Sequence, residues 1–78
     1  MARSTDYQLD FKGAITSLAL LKLTRVFREM KPHQTLEVLG VDAEARADIF
    51  RVLPAVDYEV TVMDRLEDAS YRIKLKKR

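Results

Sequence analysis

The spacing of apolar residues changes along this chain between the two-residue period of a strand and the 3.6-residue period of a helix. Tyr7, Leu9 and Phe11 alternate with polar residues, which predicts a half-buried first strand. Over residues 16–30 apolar side chains recur every three or four positions, which predicts an amphipathic helix. Pro32 ends that helix, because proline cannot continue the helical hydrogen bonds. The chain is therefore restricted to folds that mix helices with a sheet.

The same change of period repeats in the rest of the chain. Residues 35–41 form a mostly apolar run, typical of an interior strand that lies parallel to the first. Residues 43–53 predict a second helix, with Asp42 as its N-cap. Residues 58–63 and 71–76 alternate and are joined by a short polar turn, which predicts a hairpin.

These elements predict one α+β domain over residues 1–78, in the order β-α-β-α-β-β. Right-handed crossovers would place both helices on one face of a four-stranded mixed sheet, giving a two-layer α/β sandwich. Alternation predicts that the sheet aromatics face the helices and that some apolar residues stay on the open face. The inward set is Tyr7, Phe11, Tyr58 and Tyr71, and the open-face set is Leu39, Val41 and Met63.

Composition limits the available chemistry. The 78 residues include no cysteine, so disulfides and thiolate metal sites are excluded, and a reducing cytoplasm is the expected compartment. No apolar run approaches the length of a membrane span, and no signal peptide is recognised. The formal net charge of +2 does not by itself indicate nucleic-acid binding.

Several segments together resemble the TusA-like (SirA-like) family of sulfur carriers over nearly the whole chain. Residues 9–13 resemble the family's opening strand and glycine turn, and Lys22 falls where the family has a basic residue. The resemblance continues through residues 30–32, residues 36–39, Asp42 and residues 48–49. It implies the same two-layer fold, and a partner-binding surface at the start of the first helix.

The family's Cys-Pro-x-Pro signature is replaced in this chain. Thr16 stands at the cysteine position, in the run Thr16-Ser17-Leu18-Ala19. By the resemblance, that cysteine carries sulfur as a persulfide, and a helix N-terminus favours its thiolate. A threonine hydroxyl is not appreciably ionised near neutral pH and forms no exchangeable persulfide. The chain is therefore predicted to be unable to carry sulfur covalently by itself, and to be no enzyme without residues from a partner.

Other changes from the family pattern concern single positions. Asp57-Tyr58 replaces the family's Gly-His, and His33 replaces a glycine that would follow Pro32. Thr16 or Ser17 is predicted to cap the first helix. A lone histidine lacks the further ligands that a metal needs, so no metal or other cofactor is predicted.

Two functions remain open from the residues. The first is a non-catalytic binding protein, a scaffold or regulator that keeps a sulfur-relay docking surface and exists as a monomer or weak homodimer. Its predicted partner-binding residues are Thr16, Ser17, Leu18, Leu21, Lys22 and Arg25. The alternative is a small RNA- or ribosome-binding domain that uses a basic helix face and the C-terminal tail. Its predicted contacts are Lys22, Arg25, Arg28, Lys74, Lys76 and Lys77.

Overall fold

Two helices pack on a four-stranded sheet in the computed structural model, which describes residues 5–13 and 16–78. The helices are α1 (Thr16–Glu29) and α2 (Ala43–Val52), and the strands are β1 (Tyr7–Asp10), β2 (Thr35–Val41), β3 (Tyr58–Arg65) and β4 (Tyr71–Lys77). A short 3₁₀ turn, Ala55–Asp57, leads into β3. The order β-α-β-α-β-β and the α+β class confirm the prediction. Within the described ranges, neither helix is long and apolar enough to cross a bilayer.

The strands lie in the order β1-β2-β4-β3. β1 is parallel to β2, whereas β4 is antiparallel to both of its neighbours. β1, β2 and β3 therefore run in the same direction, and the segments that follow them leave the sheet at one end. The start of α1 lies at this end, because α1 follows β1 by a short connection.

The core lies between the two helices and one face of the sheet. Leu23 of α1 and Ile49 of α2 are fully buried in it. The Tyr58 ring meets Phe27 of α1 edge-on at 6.1 Å between centroids, and stacks on Phe50 of α2 at 6.3 Å. Both helices thus pack on the sheet face that carries Tyr58, as predicted. The four aromatic residues predicted to face inward all belong to this core or pack against it: Tyr7, Phe11, Tyr58 and Tyr71.

A β-bulge in β2 overturns the predicted orientation of Val41. The pairing of β2 with β4 shifts between Val38 and Val41, and Gly40 has a φ of 69°. The extra residue moves Val41 to the helix side, where it is fully buried instead of lying on the open face. A Cβ on Gly40 would come within 2.7 Å of the Lys12 backbone nitrogen, so β2 approaches the chain after β1 closely here.

A second β-bulge, in β3, shows that the predicted orientation of Met63 was wrong. The register of β3 against β4 shifts between Val60 and Val62, so Val62 pairs with Lys74 and Met63 with Ile73. Residues directly opposite each other in a sheet share a face. Met63 therefore lies on the same side as the buried Ile73, and its sulfur is 3.9 Å from the Arg46 Nη1 of α2.

The open face of the sheet is crossed by a row of polar contacts, one side chain from each strand. Gln8 Nε2 donates to Glu37 Oε1 at 2.7 Å, which joins β1 to β2. Arg72 Nη1 of β4 lies 3.8 Å from Glu37 Oε2, and Arg72 Nη2 donates to Asp64 Oδ2 of β3 at 2.6 Å. This polar row makes the open face a poor candidate for an apolar contact surface, although Leu39 remains there, half-buried.

The C-terminal end of α1 is fixed by β4. The Lys77 ammonium donates to the carbonyl oxygens of Phe27 and Met30 at 2.7 and 2.8 Å. His33 follows in a left-handed conformation, with a φ of 72°, and its backbone N–H donates to the Lys77 carbonyl at 2.7 Å. This is a conformation that favours glycine, so the turn keeps a glycine-like geometry although histidine occupies the position.

Candidate docking surface at the start of α1

The first turn of α1 is exposed. The helix begins at Thr16, and Thr16, Ser17 and Leu18 all face solvent. Thr16 and Ser17 are thus already helical residues instead of the predicted cap. Residues 14 and 15, which precede α1, lie outside the described residues.

Two leucines of α1 project from the core. Leu18 retains 60% and Leu21 68% of its full exposure, while Leu23 and Phe27 on the opposite side of the same helix are buried. Leu18, Leu21, Lys22 and Arg25 stand at relative positions i, i+3, i+4 and i+7, so they form one stripe along the helix. With Thr16 and Ser17 they are the predicted partner-binding residues, and we call this set the α1 face.

Shallow grooves flank Leu18 and Lys22 on both sides. The β1 groove, with a volume of about 360 Å³, lies between β1 and α1. Its lining residues are Gln8, Leu9, Asp10, Phe11, Leu18, Ala19 and Lys22. The second groove, of about 390 Å³, lies along α1 itself and is lined by Leu18, Leu21, Lys22, Arg25 and Val26. The structure therefore brings four of the six predicted partner-binding residues together around one groove.

The charge of α1 is one-sided. From Thr16 to Arg28 the helix contains three cations and no carboxylate, and its first acidic residue is Glu29. All three cations, Lys22, Arg25 and Arg28, are exposed. An anionic group would be attracted to this helix along most of its length.

The residues predicted to contact nucleic acid divide between three locations. Lys22, Arg25 and Arg28 lie on α1. Lys74 and Lys76 lie on the open face of the sheet, opposite the helices, because their cross-strand partners Glu37 and Thr35 belong to that face. Lys77 is engaged with the end of α1 through its hydrogen bonds to backbone carbonyls. The six residues thus do not form one continuous basic surface.

Chemically reactive groups are sparse around the α1 face. The sequence contains no cysteine, and no cluster suited to hold a metal ion occurs among residues 5–13 and 16–78. The only histidine, His33, follows the far end of α1, a helix of 14 residues and so about 21 Å long. It is too distant to act as a base for the Thr16 hydroxyl.

Among the described residues, two ionisable groups have a perturbed pKa, and local contacts explain both shifts. Hydrogen bonds from the Ser70 hydroxyl and backbone N–H lower the pKa of Asp68, and Lys12 adds a favourable charge 3.5 Å away. Burial raises the pKa of Tyr58 in the core. Asp68 stabilises the β3–β4 turn and Tyr58 the core, so neither shift indicates a catalytic group.

Comparison with protein families decides where the chain belongs. The model of the family described as Sulfurtransferase TusA matches residues 7–77, which covers all secondary structure from β1 to β4. The chain belongs to the TusA family. The resemblance inferred from the sequence is thereby confirmed, and so is the description of the chain as a family member without cysteine. Comparison with curated proteins gave no significant match.

Sequence reasoning missed two features of this site. The β1 groove depends on β1 being an outer strand, and periodicity alone does not give strand order. The hydrogen bonds from the Lys77 ammonium to the carbonyls at the end of α1 were also not predicted. The only available signal was that Lys77 continues the alternation of Tyr71, Ile73 and Leu75, which face the helices.

Proposed function

We propose that this protein is a non-catalytic TusA-family protein that binds a protein partner through the α1 face, as a scaffold or regulator of a sulfur relay. One observation carries the proposal. Two leucines, Leu18 and Leu21, are strongly exposed within five residues of Thr16, the position at which the family's cysteine would stand.

The chemical part of the proposal follows from the absence of sulfur nucleophiles. Persulfide transfer needs a thiolate to attack the donor's sulfane sulfur and to hold the product. Thr16 provides only a hydroxyl, and the only histidine of the sequence, His33, follows the far end of α1. The protein is therefore proposed to act by occupying a relay component's surface, not by receiving its sulfur.

The binding part is supported by the shape and chemistry of α1. Adjacent exposed apolar residues beside grooves are typical of protein contact sites, whereas single scattered ones are not. Leu18 and Leu21 are one helical turn apart; Leu18 lines both grooves, and Leu21 lines the groove along α1. Lys22 and Arg25 border this apolar centre, as charges border the apolar core of many protein interfaces.

RNA binding is supported less well. Lys22, Arg25 and Arg28 would attract phosphate, but Lys74 and Lys76 face the other way. Exposed aromatic rings, on which bases could stack, do not accompany the α1 cations in the described residues, since the sheet aromatics face the helices.

The test is a comparative crosslinking pull-down from cell extract. The bait is the full chain, alongside a Leu18→Ser/Leu21→Ser variant and a Val56→Ser control. Val56 is a matched control because it is 80% exposed and lies outside the α1 face. We expect at least one protein to be recovered by the wild type and by Val56→Ser, but about tenfold less by the double variant.

Equal recovery of every protein by all three baits would contradict the proposal. Recovery that disappears after nuclease treatment, and that weakens steeply as salt increases, would instead favour the RNA alternative.

A further inference from the structure

β1 is an outer strand of the sheet, beside the α1 face. In the part of the chain that the structure describes, it pairs with β2 only. The other long side of β1 therefore presents backbone groups that no described strand uses. Such an edge is a template for pairing with another extended chain.

The register shows which groups face outward. The backbone N–H of Phe11 donates to the Leu39 carbonyl of β2 at 2.8 Å. Successive N–H groups of a strand point to opposite edges, so the N–H of Leu9 also faces β2. The N–H and C=O groups of Gln8 and Asp10 then point away from the sheet.

The β1 groove runs along this free edge. Residues 8–11 form one side of it, and Leu18, Ala19 and Lys22 of α1 form the other. Its volume of about 360 Å³ is within the range of clefts that hold ligands. A chain paired with β1 would therefore have an apolar cavity beside it and the Lys22 ammonium within reach.

The opposite edge of the sheet is protected in a way that β1 is not. β3 is bulged between Val60 and Val62, and it carries Glu59, Asp64 and Arg65. Bulges and charges hinder pairing with a further strand. β1 pairs with β2 in a continuous register, and its one charged residue is Asp10, whose carboxylate accepts from the Lys12 backbone N–H at 2.8 Å. The free edge beside the grooves is thus the less protected of the two.

We infer that the partner contributes an extended acidic segment that pairs with β1 as a fifth strand. An apolar side chain of the segment enters the β1 groove beside Leu18, and a carboxylate meets Lys22. The commitment to an acidic segment comes from the cations of α1, of which Lys22 lines the β1 groove. The carboxylate of the groove, Asp10, already accepts a hydrogen bond from the Lys12 backbone N–H at 2.8 Å. Main-chain hydrogen bonds provide affinity in this mode, and side-chain pockets provide specificity. The inference rests on the proposed function and names how the α1 face is used.

The first experiment uses a defined probe, a synthetic peptide of ten residues with the repeat Val-Thr-Glu-Thr, which places valine and glutamate on the same face of an extended strand. It is titrated into the isotope-labelled full chain, and amide hydrogen exchange is followed by NMR. We expect the Gln8 and Asp10 amides to become protected, with shifts at Leu18 and Lys22. A peptide with lysine in place of glutamate is the charge control, and it is expected to bind at least about tenfold more weakly.

The second experiment removes the outward donor. Gln8→Pro deletes an N–H that faces away from β2, and proline is tolerated at such edge positions. Gln8→Ala is the matched control, because both variants lose the side-chain hydrogen bond to Glu37. We expect Gln8→Pro to weaken peptide binding about three- to tenfold relative to Gln8→Ala. The exchange measurement on the wild type decides the question if Gln8→Pro does not fold.

The outcomes separate this inference from the proposed function. Peptide shifts at Leu21 and Arg25 without protection of Gln8 or Asp10 would overturn strand pairing and leave the α1 face as a docking surface. Protection of the two amides that increases with protein concentration, without peptide, would assign the edge to a second copy and overturn the inference. Equal binding of the lysine peptide would overturn its acidic character.

Discussion

The ammonium nitrogen of Lys77 lies 2.7 Å from the carbonyl oxygen of Phe27, which joins the end of β4 to the last turn of α1. The same nitrogen donates to the Met30 carbonyl at 2.8 Å and lies 4.9 Å from the centre of the Phe27 ring. The last carbonyls of a helix have no intrahelical partner, and a cation at that end is favourable. Lys77 thus holds α1 against the sheet.

Replacing Lys77 with methionine should therefore destabilise the fold. Lys77→Met keeps most of the apolar stem but removes the charge-assisted hydrogen bonds, at an expected cost of about 2 kcal/mol in the free energy of unfolding. Lys76→Met is the control, since Lys76 lies on the open face, and it should change stability by less than about 0.5 kcal/mol. Urea unfolding curves measure both. Equal losses of unfolding free energy in the two variants would show that the Lys77 hydrogen bonds do not stabilise the fold.

Adding a methyl group to Gly40 should disrupt the bulge in β2. Gly40→Ala places a Cβ against the Lys12 backbone in a left-handed conformation, which should cost roughly 2–5 kcal/mol. Gly13 has a similar φ of 73°, but no described atom lies within 4 Å of the position that a methyl group would take there. Gly13→Ala should therefore cost only about 1 kcal/mol. Thermal or urea unfolding compares the two. A smaller loss for Gly40→Ala than for Gly13→Ala would contradict the close approach of β2 to Lys12.

Replacing Ala69 in the β3–β4 turn with glycine should stabilise the fold. Ala69 has a φ of 67°, and its N–H donates to the Leu66 carbonyl at 3.0 Å. Ala69→Gly removes the strain of the left-handed conformation, so we expect stabilisation of about 0.5–1 kcal/mol. Ala47→Gly in the exposed part of α2 should destabilise by about 1 kcal/mol. Unfolding curves of the two variants should therefore shift in opposite directions, and a shared direction would refute the assignment of strain to Ala69.

Restoring a thiol at the start of α1 should restore the capacity to hold sulfur. Thr16→Cys places a thiol in the first turn of a helix, where the helix dipole lowers its pKa. We expect this variant, but not the wild type, to gain the mass of one sulfur atom from a sulfane donor and to lose it on reduction. Thr61→Cys on β3 serves as a control thiol without a helix N-terminus, and it should be alkylated with a higher apparent pKa.

Intact-mass spectrometry detects the sulfur adduct, and the pH dependence of alkylation gives the apparent pKa of each thiol. An adduct on the wild type would contradict the conclusion that Thr16 cannot replace the cysteine. A Thr16→Cys thiol with the same apparent pKa as Thr61→Cys would show that the start of α1 no longer activates a nucleophile.

Periodicity was sufficient to predict the elements and their order. The helix expected over residues 16–30 is α1, Thr16–Glu29, and the strand expected over residues 35–41 is β2 with the same bounds. These elements are long and strongly patterned, so local sequence determines them. The predicted partner-binding residues do lie together on α1 for the same reason, since a helix fixes the relative positions of Leu18, Leu21 and Arg25.

The predictions failed where one residue interrupts the alternation. A bulge changes which face every later side chain occupies, and this is why Val41 and Met63 lie on the helix side. Gly40 hints at the first bulge, but no comparable signal marks the second, between Val60 and Val62. Long-range contacts were also not predicted, because the alternation of β4 places Lys77 on the helix side but does not indicate that its ammonium meets the Phe27 carbonyl.

The strand order has a consequence for how a nascent chain reaches this structure. Translation delivers β1, β2 and β3 before β4, yet β4 lies between β2 and β3. Until β4 has left the ribosome, β3 has no neighbour, and the apolar sides of both helices lack part of their support. A stop codon within β4 would therefore remove a central strand of the sheet instead of an edge strand, and we expect the truncated chain to be degraded.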